Sequence, residues 1–132
     1  MGYEAGDHRL QLSLPAETSA VSQARRAVEH VGALSAFPET QFALRVLVSE
    51  LFANGVKYGG GGDRITLELE IRKGRVYVEI GDCGSGFDRA GVSMPDEDAT
   101  SGRGLALLDT LADRWGVTRP GEHLVWFELA LQ

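Results

Sequence analysis

The sequence predicts an α/β domain, a two-layer sandwich in which a mixed, mostly antiparallel sheet is covered by helices on one face. Three observations carry that expectation. Runs of apolar and polar alternation occur near the start, in the middle and at the end of the chain. Segments with apolar residues at helical spacing lie between them. The 132 residues contain no internal repeat or low-complexity linker, so they read as one domain, with a core spanning about residues 8 to 131. A chain of this size buries roughly two-thirds of its unfolded surface and holds a core without staples.

The elements follow in order. HRLQLSLPA alternates Leu10, Leu12 and Leu14 with polar residues and stops at Pro15, a half-buried first strand. Thr18 or Ser19 can cap a helix in which Val21, Ala24, Val28 and Val31 share a face. The chain then relaxes from Gly32 to Phe37, and Pro38 suits the first turn of a second helix, PETQFALRVLVSELFANGVKY. RITLELEIR and RVYVEIGD are strands joined at Lys73-Gly74, a hairpin signal. CGSGFDRAGVSMPDEDATSGRG is a long glycine-rich loop of the kind that in compact domains is usually functional or disordered. LALLDTLADRW supplies a third helix, placing Trp115 at its end, and GVTRP and HLVWFELALQ are two more strands turning at Gly121.

Composition excludes several classes of function. The formal charge of −6, from 19 acidic against 13 basic residues, argues against a general polyanion binder, which needs clustered Lys and Arg. Cys83 is the sole cysteine, so there is no internal disulfide. MGYEAGDHRLQL lacks the basic start and apolar run of a secretory signal, and no long apolar span occurs, so the expected location is cytoplasmic. His8, His30 and His123 show no metal spacing. Trp115 and Trp126 read as packing residues, and a regulatory thiol at Cys83 would require a lowered pKa that sequence does not display.

Three constellations carry chemistry. Glu50 and Asn54 project from one face of the second helix where leucines would be expected, with Val46 and Ala53 as neighbours. They either fix the helix by local hydrogen bonds or form a metal-and-base pair, since an amide oxygen is a suitable hard ligand for Mg²⁺ and a carboxylate can accept a proton. The strand VYVEIGD ends in Asp82, with Gly84 and Gly86 beyond it. This is either an ordinary turn or a base-recognition site, in which Asp82 accepts a hydrogen bond from a purine amine and the glycines let backbone approach a flat ring. A hydrogen bond to a charged group contributes on the order of 1.5–3 kcal/mol, enough to select one base over another. In SGRGLALL, Gly102 and Gly104 precede a helix whose first N–H groups can bind an anion, and Arg103 adds charge. The four glycines 59–62 are not a P-loop, because Asp63-Arg64 follows where a Lys-Ser/Thr pair opening a helix is required. Nor are the glycines spaced as a dinucleotide fingerprint.

In this order, E-x-x-x-N on a helix, D-x-G-x-G after a strand and G-x-G before a helix resemble the asparagine box and two glycine boxes of the GHKL ATPase superfamily, which includes gyrase and histidine kinases. SELFANGVKYG, DCGSGF and SGRGLALLDTLADRWGV look most like its small stand-alone anti-sigma-factor serine/threonine kinases. The resemblance implies the Bergerat ATP-binding fold, with ATP and Mg²⁺ as cofactors. It implies that Asn54 binds the Mg²⁺ bridging the ATP phosphates and that Asp82 contacts the adenine amine. It further implies that Gly84 and Gly86 shape the adenine side, while Gly102, Arg103 and Gly104 cover the phosphates. Glu50 becomes the base that prepares a partner's serine for attack on the γ-phosphate. The implied partners are an anti-anti-sigma protein of STAS type, a sigma factor, or both, with homodimerisation as in relatives and no direct contact with nucleic acid or membrane.

The chain departs from that pattern in one respect. Kinases of this branch often carry an arginine just upstream of the second glycine box, where this chain has Asp98-Ala99-Thr100-Ser101, and Asp96, Glu97 and Asp98 form an acidic stretch. A nucleotide-dependent binding module that sequesters a partner without phosphotransfer therefore stands as the alternative. The catalytic half of a histidine kinase is disfavoured, since no dimerisation helix with a target histidine accompanies the domain.

Overall fold

The computed structural model describes residues 3–5, 8–58, 64–82, 102–117 and 124–132. Six strands form one sheet: β1 (Tyr3–Ala5), β2 (Arg9–Pro15), β3 (Arg64–Arg72), β4 (Arg75–Asp82), β5 (Arg114–Val117) and β6 (Leu124–Ala130). Their order across the sheet is β1-β2-β3-β4-β6-β5, and every described pairing is antiparallel, in line with the mostly antiparallel sheet expected. The helices are α1 (Ser19–Glu29), α2 (Pro38–Tyr58) and α3 (Gly102–Leu111), with a 3₁₀ turn at Gly32–Ala36 between the first two.

Alternation in the sequence becomes two unlike faces. Leu10 and Leu12 of β2, Ile65, Leu67 and Leu69 of β3, Val76, Val78 and Ile80 of β4, and Phe127 and Leu129 of β6 are all buried. They meet Ala20, Ala24, Ala27 and Val28 of α1, Leu44, Leu47, Val48, Leu51 and Phe52 of α2, and Leu108 of α3 in one core. The small residues of α1 let it lie close against α2. Each fully buried aliphatic or aromatic side chain contributes roughly 1.5–3 kcal/mol relative to exposure.

Local chemistry explains the joints. Lys73 and Gly74 both have positive φ, 51° and 77°, and Arg72 faces Arg75 across them, so β3 and β4 meet in a two-residue turn twisted to suit a hairpin. The start of α2 is held by the end of the chain: the Glu39 and Thr40 N–H groups donate to the Gln132 oxygen at 3.2 and 3.3 Å. Thr40, the one polar side chain among the described buried residues, donates its hydroxyl to Ala130 O and accepts from Gln132 N–H. These bonds satisfy helix-end donors that would otherwise be orphaned in a dry setting.

The structure corrects the expectation for residues 112–115. The third helix begins at Gly102 and ends at Leu111, so Trp115 lies in β5 and not at a helix end. The helix stops because the next residues find better partners on β6. Asp113 N–H donates to Glu128 O, the Asp113 carboxylate accepts from Ala130 N–H, and Trp115 pairs with Phe127. Strand β1 has no counterpart in the sequence reading. No described helix is long and apolar enough to cross a membrane.

Candidate functional site

Helix α2 carries Glu50 and Asn54 toward the end of the sheet where β4 finishes. Its buried stripe is Leu44, Leu47, Val48, Leu51 and Phe52, and the two polar residues lie beside that stripe, both half-buried. Of the neighbours expected for them on that surface, Val46 is half-buried and Ala53 is exposed. A helix stripe is only about 100° wide, so residues one position off it stand at its margin, within reach of both core and solvent.

That margin suits a binding role. Among the described residues the Asn54 carboxamide has no hydrogen-bond partner, leaving a half-buried amide oxygen available as a hard donor. Glu50, one turn earlier, is itself engaged and not free. No cluster of three or more His, Cys, Asp or Glu able to hold a metal occurs among the described residues. A magnesium ion reached by one amide oxygen needs none, because it keeps several waters and takes phosphate oxygens as its remaining ligands. The donor set fits Mg²⁺ delivered with a nucleotide.

Asp82 closes β4, and its main chain is paired with Ile65 at the start of β3. Just before it, the Thr66 hydroxyl donates to Gly81 O at 3.3 Å, tying the strand end to its neighbour. The side chain of Asp82 and residues Cys83, Gly84 and Gly86 lie outside the described residues, as do the acidic stretch 96–98 and the four glycines 59–62. Gly102, Arg103 and Gly104 form the first turn of α3 instead of preceding it. The first N–H groups of α3, which have no partner within their own helix, therefore belong to this glycine box, while Leu108, fully buried one turn further on, anchors the helix to the core beside α2. The side chain of Arg103 lies outside the described residues.

The strongest described perturbation of a titratable group is elsewhere. Tyr77, on the sheet face away from the helices, is pushed up to about 12, first by burial, then by its hydrogen bond to Glu79 and the charges of Glu79 and Glu128. Burial beside two carboxylates explains it, and it lies on the strand surface opposite to that on which the helices pack.

The described elements form an α/β sandwich, with Glu50 and Asn54 on α2, Asp82 at the end of β4 and two glycines in the first turn of α3. The model of the histidine kinase-like ATPase domain family matches residues 14–128, and the chain belongs to that family. A GHKL-type ATPase domain and its ATP-binding character follow. None of the curated proteins searched matches the chain.

Proposed function

We propose that the protein is an ATP-dependent serine/threonine protein kinase acting as an anti-sigma factor, with a serine on an anti-anti-sigma protein as its phosphoacceptor. The observation that carries the reading is the half-buried carboxamide of Asn54, without a hydrogen-bond partner among the described residues, one turn after Glu50 on α2. The family match supports ATP as the bound molecule. Asn54 would hold Mg²⁺, which neutralises phosphate charge when bound. Asp82, with Gly84 and Gly86, would take the adenine, and Gly102, Arg103 and Gly104 the phosphates. In the transfer, the serine oxygen forms a bond to the γ-phosphorus as the bond to the β,γ-bridging oxygen breaks. ADP leaves with that oxygen, and Glu50 takes the hydroxyl proton. Such transfer depends mainly on positioning and charge neutralisation, so few catalytic groups are required.

The second reading, a nucleotide-dependent module that sequesters a partner without transfer, is favoured by Asp98-Ala99-Thr100-Ser101 where related kinases often carry an arginine. Incubation with γ-labelled ATP and candidate anti-anti-sigma proteins separates the two. A labelled partner with wild-type protein and none with Glu50→Ala, at Mg·ATP affinity within a few-fold, supports the kinase. Nucleotide-dependent partner binding with no label supports the module. Label transferred at the wild-type rate by Glu50→Ala removes Glu50 from the role of base.

A further inference from the structure

Gly55 sits next to Asn54 and inside α2, where glycine is a poor helix former compared with alanine because it gives up more backbone freedom. Its neighbour across the layer explains it. A Cβ at Gly55 would stand 2.9 Å from Ile65 Cδ1, 3.4 Å from Cγ1 and 3.8 Å from Cγ2. The first distance is shorter than real Cβ atoms show, so a side chain at 55 would require either the end of the Ile65 side chain or α2 itself to shift.

Ile65 has little freedom to give way. Its β-branched Cγ1 and Cγ2 are stiff at χ1, its Cδ1 can turn about χ2 only into a packed core, since the residue is 1% exposed, and its strand is paired on both sides, to Leu14 of β2 and to Asp82 of β4. The residue that meets Gly55 is therefore the register partner of Asp82. Gly55 and Ile65 thus join the two elements that carry Asn54 and Asp82.

We infer that Gly55 is a positioning residue for nucleotide binding: its close approach to Ile65 fixes the last turns of α2 against the end of β4, and so sets Asn54 in register with Asp82. This rests on the reading of Asn54 as the residue that holds magnesium with the nucleotide. A bulkier residue at 55 lifts the end of α2 from the sheet and moves the Asn54 amide, while Asp82 stays with its strand. Binding sites tolerate errors of only about 0.5 Å in such groups. The consequence falls on the magnesium-dependent part of the affinity, since that is the part that uses Asn54.

The test measures ATP affinity by calorimetry, with Mg²⁺ and with EDTA, for wild type, Gly55→Ala, Ile65→Val, the double variant and Asn54→Ala, with a thermal melt of each. Gly55→Ala is expected to weaken Mg·ATP binding about tenfold while leaving affinity in EDTA unchanged, a loss equivalent to about 1.4 kcal/mol. Ile65→Val, which removes the Cδ1 that the new methyl would meet, is expected to bind within about twofold of wild type and to restore most of the loss in the double variant, as coupled neighbours do. If Gly55→Ala does not fold, the double variant decides: wild-type-like Mg·ATP binding by it supports the inference, and weak binding overturns it. Gly55→Ala that melts higher than wild type and binds Mg·ATP equally well overturns it, because alanine would then have improved the helix at no cost to the site. Asn54→Ala that retains wild-type Mg·ATP affinity removes the underlying reading instead, whatever Gly55→Ala does.

Discussion

The two faces of the sheet are built from the same strands and solve different problems. On the inner face, Leu67, Val78 and Phe127 sit in adjacent strands with almost no exposure, under α1 and α2. On the outer face, the same strands place Gln11, Glu68, Glu79, Trp126 and Gly116 in one cross-strand row, and Arg9, Glu70, Tyr77, Glu128 and Arg114 in the next. The inner face gains from removing hydrocarbon from water. The outer face, which no described helix covers, uses half-buried aromatics and paired charges: Tyr77 stacks on Trp126 at 6.1 Å, Arg114 lies over Trp126, and Arg72–Glu70 and Arg114–Glu128 pair at 3.6 and 3.9 Å. The difference teaches that this sheet is held from one side, and that the outer face tunes stability without setting the fold.

The largest break in that comparison is expected from Phe127→Ala. Phe127 is fully buried, and its removal leaves a cavity in the core, so denaturant unfolding should show a loss of about 3–5 kcal/mol. Next is Gly116→Ala, at the most closely covered of the described glycines. A Cβ there would stand 2.7 Å from Trp126 Nε1 and 3.0 Å from Cε2, and an indole cannot bend aside. Trp126 covers the glycine in the manner of cross-strand aromatic packing, and the expected cost is about 1–3 kcal/mol, with a change in tryptophan fluorescence. A cost as large as that of Phe127→Ala would mean that the outer face holds the fold as firmly as the inner one.

Smaller effects come from titration and charge. The Tyr77 pKa is raised from 10.0 to about 12. A folded-state value above the unfolded one means that folding favours the protonated phenol, so its contribution is complete below pH 10 and lost as pH rises through about 12. Wild type should therefore lose more stability than Tyr77→Phe across that alkaline window, as melts at stepped pH will show. Equal losses would assign the alkaline sensitivity to other groups. Smallest is Arg114→Ala, which removes an exposed ion pair and a cation–aromatic contact, for up to about 1 kcal/mol that shrinks as salt is added.

Legibility in the sequence differed by region for physical reasons. The strands β2, β3, β4 and β6 were readable because a sheet buried on one face forces a period of two, and the Lys73-Gly74 turn because few residues tolerate positive φ. The α3–β5 junction was not, because Ala112 to Trp115 continue a helical pattern locally while Asp113 and Trp115 gain ladder bonds and packing from β6, distant in sequence. For the site, Glu50 and Asn54 stood out as polar residues in an apolar helix, but their place at the margin of the buried stripe depends on how α2 is rotated over the sheet. Gly55 carries a local signal, an isolated glycine inside a helix, but the partner that explains it, Ile65, lies on a strand and is known only from the fold.

The sequence by itself determined the buried face of the strands, the turn at Lys73-Gly74 and the order of the three polar constellations, because periodicity and turn chemistry are local, while the turn expected at Gly121 lies outside the described residues. Only the tertiary structure decided that all described pairings are antiparallel, that Trp115 belongs to a strand, and that Gly55 meets the register partner of Asp82. Those outcomes depend on contacts between segments far apart in the chain, and the energy that selects them exists only once the layers have come together.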